Sequence, residues 1–357
     1  MNDTDTILLN EVKRHKTPSV QYILFSKDHV IKRYSAGLAD IKNRRTVSEH
    51  TTYHAFSVTK TFTALAVLQL AEQKKLDVTQ AVSKYLPDFP YHSEITILQL
   101  LNHSAGIPNP IPLSWIHLVN EHPSFDGNQF FKKIFAKNPK LRSKPNEKYA
   151  YSNLGYVLLG QLIEKVSGTN YETYVTDNII KKLGIENDLS FEISEAHNPA
   201  TGYHKRFSFS GLILGLFINK SKFMAKPEGK WRAFKQYYIN GAAYGGLTGT
   251  PIAFVNYLQE LLKTDCRLIT NNYKNMLFTE NYNTGNKATG MCLSWFSGEL
   301  NGNRYFSHAG GGGGYYCEIR LYPNAGTGSV IFFNRTGMKD EKFLDKVDKY
   351  YFENSAK

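Results

Sequence analysis

The chain has 357 residues and a hydrophobic content of 41%, enough for one large domain or two intimately joined ones with an ordinary globular core. Its formal net charge of +12 favours loose association with anionic surfaces, but no RNA-binding signature, zinc-finger spacing or helix-turn-helix pattern accompanies it, which excludes specific nucleic-acid recognition. The 3 cysteines, Cys266, Cys292 and Cys317, are widely spaced and fit reduced thiols; with no C-x-x-C and no H-E-x-x-H spacing, neither a metal nor a cofactor is expected.

The opening MNDTDTILLNEVKRHK lacks the basic-then-apolar order of a signal peptide. The longest apolar run, Gly211 to Ile218, is far short of a membrane span. The expected compartment is the cytoplasm, or the periplasm or exterior if a signal has been removed. An amphipathic helix is predicted over about Thr6 to Arg14, then strands Ser19–Ser26 and His29–Ala36 around the turn-like Lys27-Asp28.

The run from Ala55 to Ala71, AFSVTKTFTALAVLQLA, predicts a core helix from its apolar spacing at Phe62, Leu65, Ala66 and Leu70. Lys60 is its one charged residue. Such a lysine must be paired or lose its proton more readily, because desolvation disfavours the ammonium. Ser57 lies three residues earlier on the same face. Its hydroxyl is either a helix N-cap or a nucleophile activated by a partly desolvated amine.

Pro87 and Pro90 break the pattern. Ile95–Leu101 predicts a short helix leading into Asn102-His103-Ser104-Ala105-Gly106-Ile107-Pro108, and loops follow to about Lys144. Tyr151-Ser152-Asn153 sits just before a helix predicted over Gly155–Val166 and stopped by Ser167-Gly168. Tyr151 offers a phenol for proton transfer where a nearby cation favours phenolate, and Asn153 an amide that orients a substrate carbonyl or Lys60. The alternative is that Ser152 or Asn153 only caps the helix above a packed Tyr151. Further helices are predicted over Tyr171–Lys182, Pro251–Lys263 and Asp340–Tyr351. Met291–Ser297, Arg304–His308, Tyr315–Tyr322 and Ser329–Asn334 read as antiparallel strands, with Cys317 a packing residue in one of them.

Before Tyr315 runs His308-Ala309-Gly310-Gly311-Gly312-Gly313-Gly314. Consecutive glycines let backbone approach a ligand closely. A phosphate loop is excluded, because no Gly-Lys-Ser/Thr follows and a strand rather than a helix comes next. The segment is either a flexible hairpin or a strand edge whose N–H groups face a substrate carbonyl. No G-x-S-x-G elbow occurs, which argues against a Ser-His-Asp hydrolase.

In order and separation, Ser57-x-x-Lys60, Tyr151-x-Asn153 and His308-x-Gly310 resemble the serine β-lactamase and penicillin-binding-protein superfamily, where S-x-x-K is a signature. The resemblance is to the class C branch, with its family VIII carboxylesterases, D-aminopeptidases and DD-peptidases. LLNHSAGIP over Leu100–Pro108 and PNEKYAYSNLGYVLLGQLIEKVSGTNYETYV around Tyr151 resemble further family segments. The likeness spans about Ser19 to Asn334, with a poor match over Tyr203–Asn240.

Strands at both ends with helices between imply an α+β architecture: an antiparallel sheet of N- and C-terminal strands flanked by helices, with a mostly helical subdomain inserted. The expected division is 1–85 with 241–357 as a sandwich lobe and 86–240 as the helical part, carrying a divergent insertion at about 203–240. That insertion joins apolar Gly211–Ile218 to basic and aromatic residues including Lys220, Lys222, Lys226, Lys230 and Trp231. It is either a lid or weak anionic membrane contact through 211–235, or an insertion packed on the helical lobe with a solvated basic face.

The resemblance implies that Ser57 attacks an ester or amide and forms an acyl-enzyme, with Lys60 and Tyr151 sharing the general-base work. It implies an oxyanion hole from the backbone N–H groups of Ser57 and Gly311, and substrate contacts at Asn153, His308 and Gly310. β-Lactamases and transpeptidases of the superfamily have lysine, threonine or serine, and glycine where this chain has His308-Ala309-Gly310. The ammonium and hydroxyl that recognise a β-lactam carboxylate are missing. The implied function is a carboxylesterase or D-amino-acid peptidase acting on a small ester, amide or peptide, with weak or no β-lactamase activity. The alternatives are a true β-lactamase or DD-carboxypeptidase, or a non-catalytic binding or scaffolding relative. Oligomeric state is left open.

Overall fold

A computed structural model describes residues 3–208, 217–336 and 342–355. The two ends of the chain meet in one seven-stranded antiparallel sheet. Its order is Phe296–Leu300, Asn303–Gly312, Tyr315–Tyr322, Thr327–Phe333, Ser19–Ser26, Val30–Asp40 and Arg45–Thr46. The seam is the pairing of Ser19–Ser26 with Thr327–Phe333, with Val20 opposite Phe333 and Ile23 opposite Val330.

Both faces of this sheet are covered, so its central strands read as apolar runs rather than alternating ones. Val20, Tyr22, Leu24, Ile331 and Phe333 pack against Leu8, Phe343, Leu344 and Val347 of the terminal helices Asp3–Lys13 and Phe343–Ser355. Ile23, Phe25, Ile319, Val330 and Phe332 join the main core with Phe62, Phe254 and Leu258. The helix Thr59–Glu72 is buried along Thr59–Ala71, as expected of a helix enclosed on all sides. Asn153–Ser167 packs across it; the Ser152 hydroxyl accepts from Gly155 N–H at 3.1 Å, and Gly168 (φ 77°) ends the helix in the left-handed region.

Several boundaries differ from expectation for local reasons. The helix predicted over Tyr171–Lys182 is three pieces, with a π-turn at Thr176–Ile180, before Gly184 at φ 70° stops it. The strand predicted at Met291–Ser297 begins only at Phe296. Cys292 N–H donates to Trp295 O at 2.7 Å across a buried turn that places Ser294 at φ 68°, so a continuous buried run reads as a strand where the backbone turns. The strand predicted to end at His308 runs on through Gly312.

The divergent segment forms its own three-stranded sheet in the order Tyr203–Lys205, Trp231–Phe234, Met224–Glu228. It does not simply lie on the helical part. Tyr203 N–H is shared between Gly314 O at 3.2 Å and Asn334 O at 3.1 Å, and Ile41 N–H donates to the Tyr203 hydroxyl at 2.7 Å. One side therefore seals the end of the large sheet, while Tyr237–Ile239 pairs with Ile116–Leu118 on the other side. Of the Gly211–Ile218 run proposed as a lid or membrane contact, 211–216 lie outside the described residues. Among the described residues no helix is long and apolar enough to cross a membrane.

Candidate active site

Ser57 occupies a single 3-10 turn, Phe56–Val58, that feeds directly into Thr59–Glu72. It does not cap the helix: the N-cap position is Val58, with no side-chain cap bond. Phe56 holds φ at 46°, a left-handed conformation that costs a residue with a side chain on the order of 1 kcal/mol and is retained where surrounding structure enforces it.

Two groups converge on the Ser57 hydroxyl. Lys60 Nζ donates to Oγ at 3.1 Å and the Tyr151 hydroxyl donates to it at 2.8 Å. The three-residue spacing on one helix face delivers the lysine, and the loop before Asn153–Ser167 delivers the tyrosine. Lys60 is fully buried and also donates to the Tyr244 carbonyl at 2.7 Å. The rings of Tyr151, Tyr156 and Tyr244 lie 5.0, 5.5 and 5.3 Å from Nζ. Among the described residues no carboxylate pairs with it. Burial therefore holds its pKa well below the usual lysine value, which makes a neutral amine available.

The glycine run meets this turn from the other side. Phe296–Leu300 pairs with its neighbour Asn303–Gly312 only as far as Ser307, so among the described residues the His308–Gly312 end of the neighbour keeps one edge free of strand pairing, and that end packs on the Ser57 turn. A Cβ at Gly310 would sit 2.1 Å from Ala55 O and 3.0 Å from Ser57 N, so only glycine fits there. Cys317, across the strand from Gly310, donates its thiol to the same Ala55 carbonyl at 3.2 Å.

His308 does not line the cavity over Ser57; it lies behind it, 1% exposed. Its Nδ1 bonds Ala309 O at 2.8 Å, and Nε2 is buried without a partner. Burial first, then the nearby Lys60 charge, pushes its pKa down to about 3, so at neutral pH it carries no charge. His103, at φ 57°, accepts from Ser152 N–H at 3.1 Å and packs 4.4 Å from the Tyr151 ring. Burial, Lys60 and His308 all lower its pKa well below the usual value.

Asn153 does not reach Lys60. Its backbone N–H and Nδ2 both donate to Asn109 Oδ1, at 3.0 and 3.1 Å, leaving Oδ1 buried and unpartnered. A cavity of about 110 Å³ opens beside these groups, with Ser57, Asn153, Tyr244 and Gly311 in its wall. A larger open groove of about 690 Å³ between His92, Arg142 and Glu147 shares no residue with it and holds none of this chemistry.

Sequence reasoning passed over four contributors. The Tyr244 carbonyl is a backbone group with no sequence signal. The left-handed Phe56 is invisible in composition. His103 lay within HSAGIP and Asn109 just beyond it, in a segment whose likeness was noted but whose side chains were given no roles.

The Beta-lactamase family matches the chain over residues 5–350. Protein flp of Staphylococcus aureus (strain MW2) is 32% identical over 205 residues, covering 56% of this chain and 40% of its own length. The chain thus spans less than half the length of the curated relatives it matches. The D-amino acid amidase of Ochrobactrum anthropi SV3, solved with D-phenylalanine, superposes with a TM-score of 0.80 at 20% identity over 99% of both chains. EstCE1, a hydrolase with promiscuous acyltransferase activity, superposes with a TM-score of 0.76 at 18% identity over 98% of this chain and 97% of its own. At these identities the structural likeness is one of fold.

Proposed function

The chain belongs to the Beta-lactamase family, and on that premise we propose that it is a serine hydrolase that cleaves small esters or amides through an acyl-enzyme on Ser57. The observation that carries this reading is the Ser57 hydroxyl held 3.1 Å from a desolvated Lys60, which has no carboxylate partner among the described residues, and 2.8 Å from Tyr151. With its proton lost, Lys60 keeps an N–H on the Tyr244 carbonyl and turns its lone pair to the Ser57 O–H. Oγ then attacks the substrate carbonyl. Lys60 and Tyr151 carry the proton to the leaving alcohol or amine, and the Ser57–acyl ester forms as the original acyl bond breaks. Water, deprotonated by the same pair, releases the acid and restores Ser57.

The backbone N–H groups of Ser57 and Gly311 form the oxyanion hole, the second supplied by the free strand edge. Gly310 permits the approach, and Asn153 Oδ1 is the acceptor for a substrate N–H. His308 holds the strand end from behind. Residues 1–85 with 241–357 form one lobe and 86–240 the other, with Ser57 and Lys60 from the first and Tyr151 and Asn153 from the second.

The neutral, buried His308 provides no cation for a β-lactam carboxylate. Purified protein is expected to hydrolyse p-nitrophenyl acetate with a kcat/KM well above that for a chromogenic cephalosporin. Equal or faster cephalosporin turnover reverses the preference and returns the chain to the β-lactamase reading.

A further inference from the structure

Resting on that acyl-enzyme reading, we propose that the cavity beside Ser57 is the acyl pocket, and that it selects short, uncharged, apolar acyl groups of about two to four carbons over acyl groups bearing an ammonium or a carboxylate.

The wall of this cavity is the argument. Beyond Ser57, Asn153 and the glycine backbone it is built from Pro112, Leu113, Ile116, Ile218, Phe234 and Ile239, with aromatic rings completing it. Among the described residues that line it, none is Asp, Glu, Lys, Arg or His. The wall tyrosines are held neutral, since burial raises Tyr237 and Tyr244 above the usual phenol range. Tyr237 moreover gives its hydroxyl to Gly313 O at 2.8 Å.

An acyl group remains bonded to Ser57 after the alcohol departs, so the space shared by Ser57 and Gly311 is the space it occupies. A charge brought there loses its water and meets no counter-ion among the described lining residues. An isolated buried ion costs far more than a neutral group of the same shape. Among the described lining residues, an α-ammonium, as on a D-amino acid derivative, meets only the neutral Asn153 Oδ1 and no carboxylate, and a terminal carboxylate meets no cation. Size follows from volume: about 110 Å³ is less than the roughly 150 Å³ apolar cavity that takes up benzene, which leaves room for about four carbons or fewer.

The test compares matched methyl esters at pH 6.5, with each kcat/KM normalised to the ester's rate with hydroxide. Methyl propionate is set against D-alanine methyl ester, and methyl butyrate against monomethyl succinate. The neutral member of each pair is expected to be favoured by at least about 100-fold. p-Nitrophenyl butyrate is expected to exceed the octanoate by at least about tenfold, and Ile239→Ala, with Leu113→Ala as a second variant, to raise the octanoate-to-butyrate ratio at least about threefold. Ser57-dependent turnover that favours a charged member, or a ratio unmoved in both folded variants, overturns the pocket assignment and leaves the acyl-enzyme intact. Absence of Ser57-dependent turnover for every ester overturns both.

Discussion

Replacing Lys60 with arginine is expected to lower kcat/KM for p-nitrophenyl acetate by on the order of 1000-fold. Arginine keeps a positive charge and donors but does not release its proton in a protein, so the variant separates a cationic role from a base. The structure favours the base. Lys60 has no carboxylate partner among the described residues and is ringed by three tyrosines, and burial depresses its pKa. The sign of the pH dependence follows. Activity falls as Lys60 gains a proton, so kcat/KM rises with pH through a pKa well below 10.5 and is flat by the time an ordinary lysine would titrate. A rise that continues to pH 10.5, or an arginine variant with near-normal turnover, contradicts the role. Lys60→Met is expected to lose activity to the same degree while remaining folded, because methionine fills similar volume without a desolvated amine.

The largest expected effect on stability lies far from Ser57, between the large sheet and the Phe343–Ser355 helix. Arg320, fully buried, donates through Nη1 to Asp345 Oδ1 at 2.6 Å and to the Tyr322 hydroxyl at 3.1 Å, and through Nη2 to Glu318 Oε1 at 2.8 Å. Asp348 collects the hydroxyls of Tyr22, Tyr322 and Ser329 at 2.9, 2.9 and 2.6 Å. Burial raises both buried acids, Glu318 to about 7, against the opposing pull of Arg320. Arg320→Met strands these carboxylates at a cost of about 3–5 kcal/mol, since an uncompensated buried charge is the expensive half of a broken pair. The melting temperature is expected to fall by on the order of 5–10 °C in differential scanning calorimetry.

Glu318 also sets a pH signature. Its folded pKa lies above its unfolded one, so the native state binds more protons between about pH 4.5 and 7, and stability declines as pH rises through that window. Without Arg320 the folded pKa rises further and the decline extends higher. The deficit of Arg320→Met is therefore larger at pH 8 than at pH 5; an equal or smaller deficit at pH 8 contradicts the network.

How much of this was legible depends on whether the determinant was local. The Ser57–Lys60 pair is local to one 3-10 turn and the helix it feeds, so a buried run with a single charge three residues after a serine marks it as a candidate, with the cap as the alternative. The sheet joining both ends followed from strands such as Ser19–Ser26 and Tyr315–Tyr322, whose bounds match the structure. Tyr151 and Gly310 came from motif order, because their proximity to Ser57 depends on tertiary packing. What stayed hidden was set by backbone geometry or by distant partners. Phe56 is left-handed because the turn requires it. Asn153 turned to Asn109 rather than Lys60. The extension of the strand into the glycine run depends on the free edge left where Phe296–Leu300 stops pairing. The docking of the Tyr203–Phe234 sheet on the large sheet escaped because the partners of Tyr203, Gly314 and Asn334, lie more than a hundred residues away.

The central claim is that Ser57 is the acyl-accepting nucleophile, and covalent labelling tests it most directly. Intact mass after incubation with a fluorophosphonate is expected to rise by one adduct in the wild type, with the modification mapped by peptide fragmentation to Ser57 and none in folded Ser57→Ala. A folded wild type that takes no label contradicts the account and leaves a binding module in place of an enzyme; a Ser57→Ala variant labelled to the same extent contradicts it by placing the reactive nucleophile elsewhere.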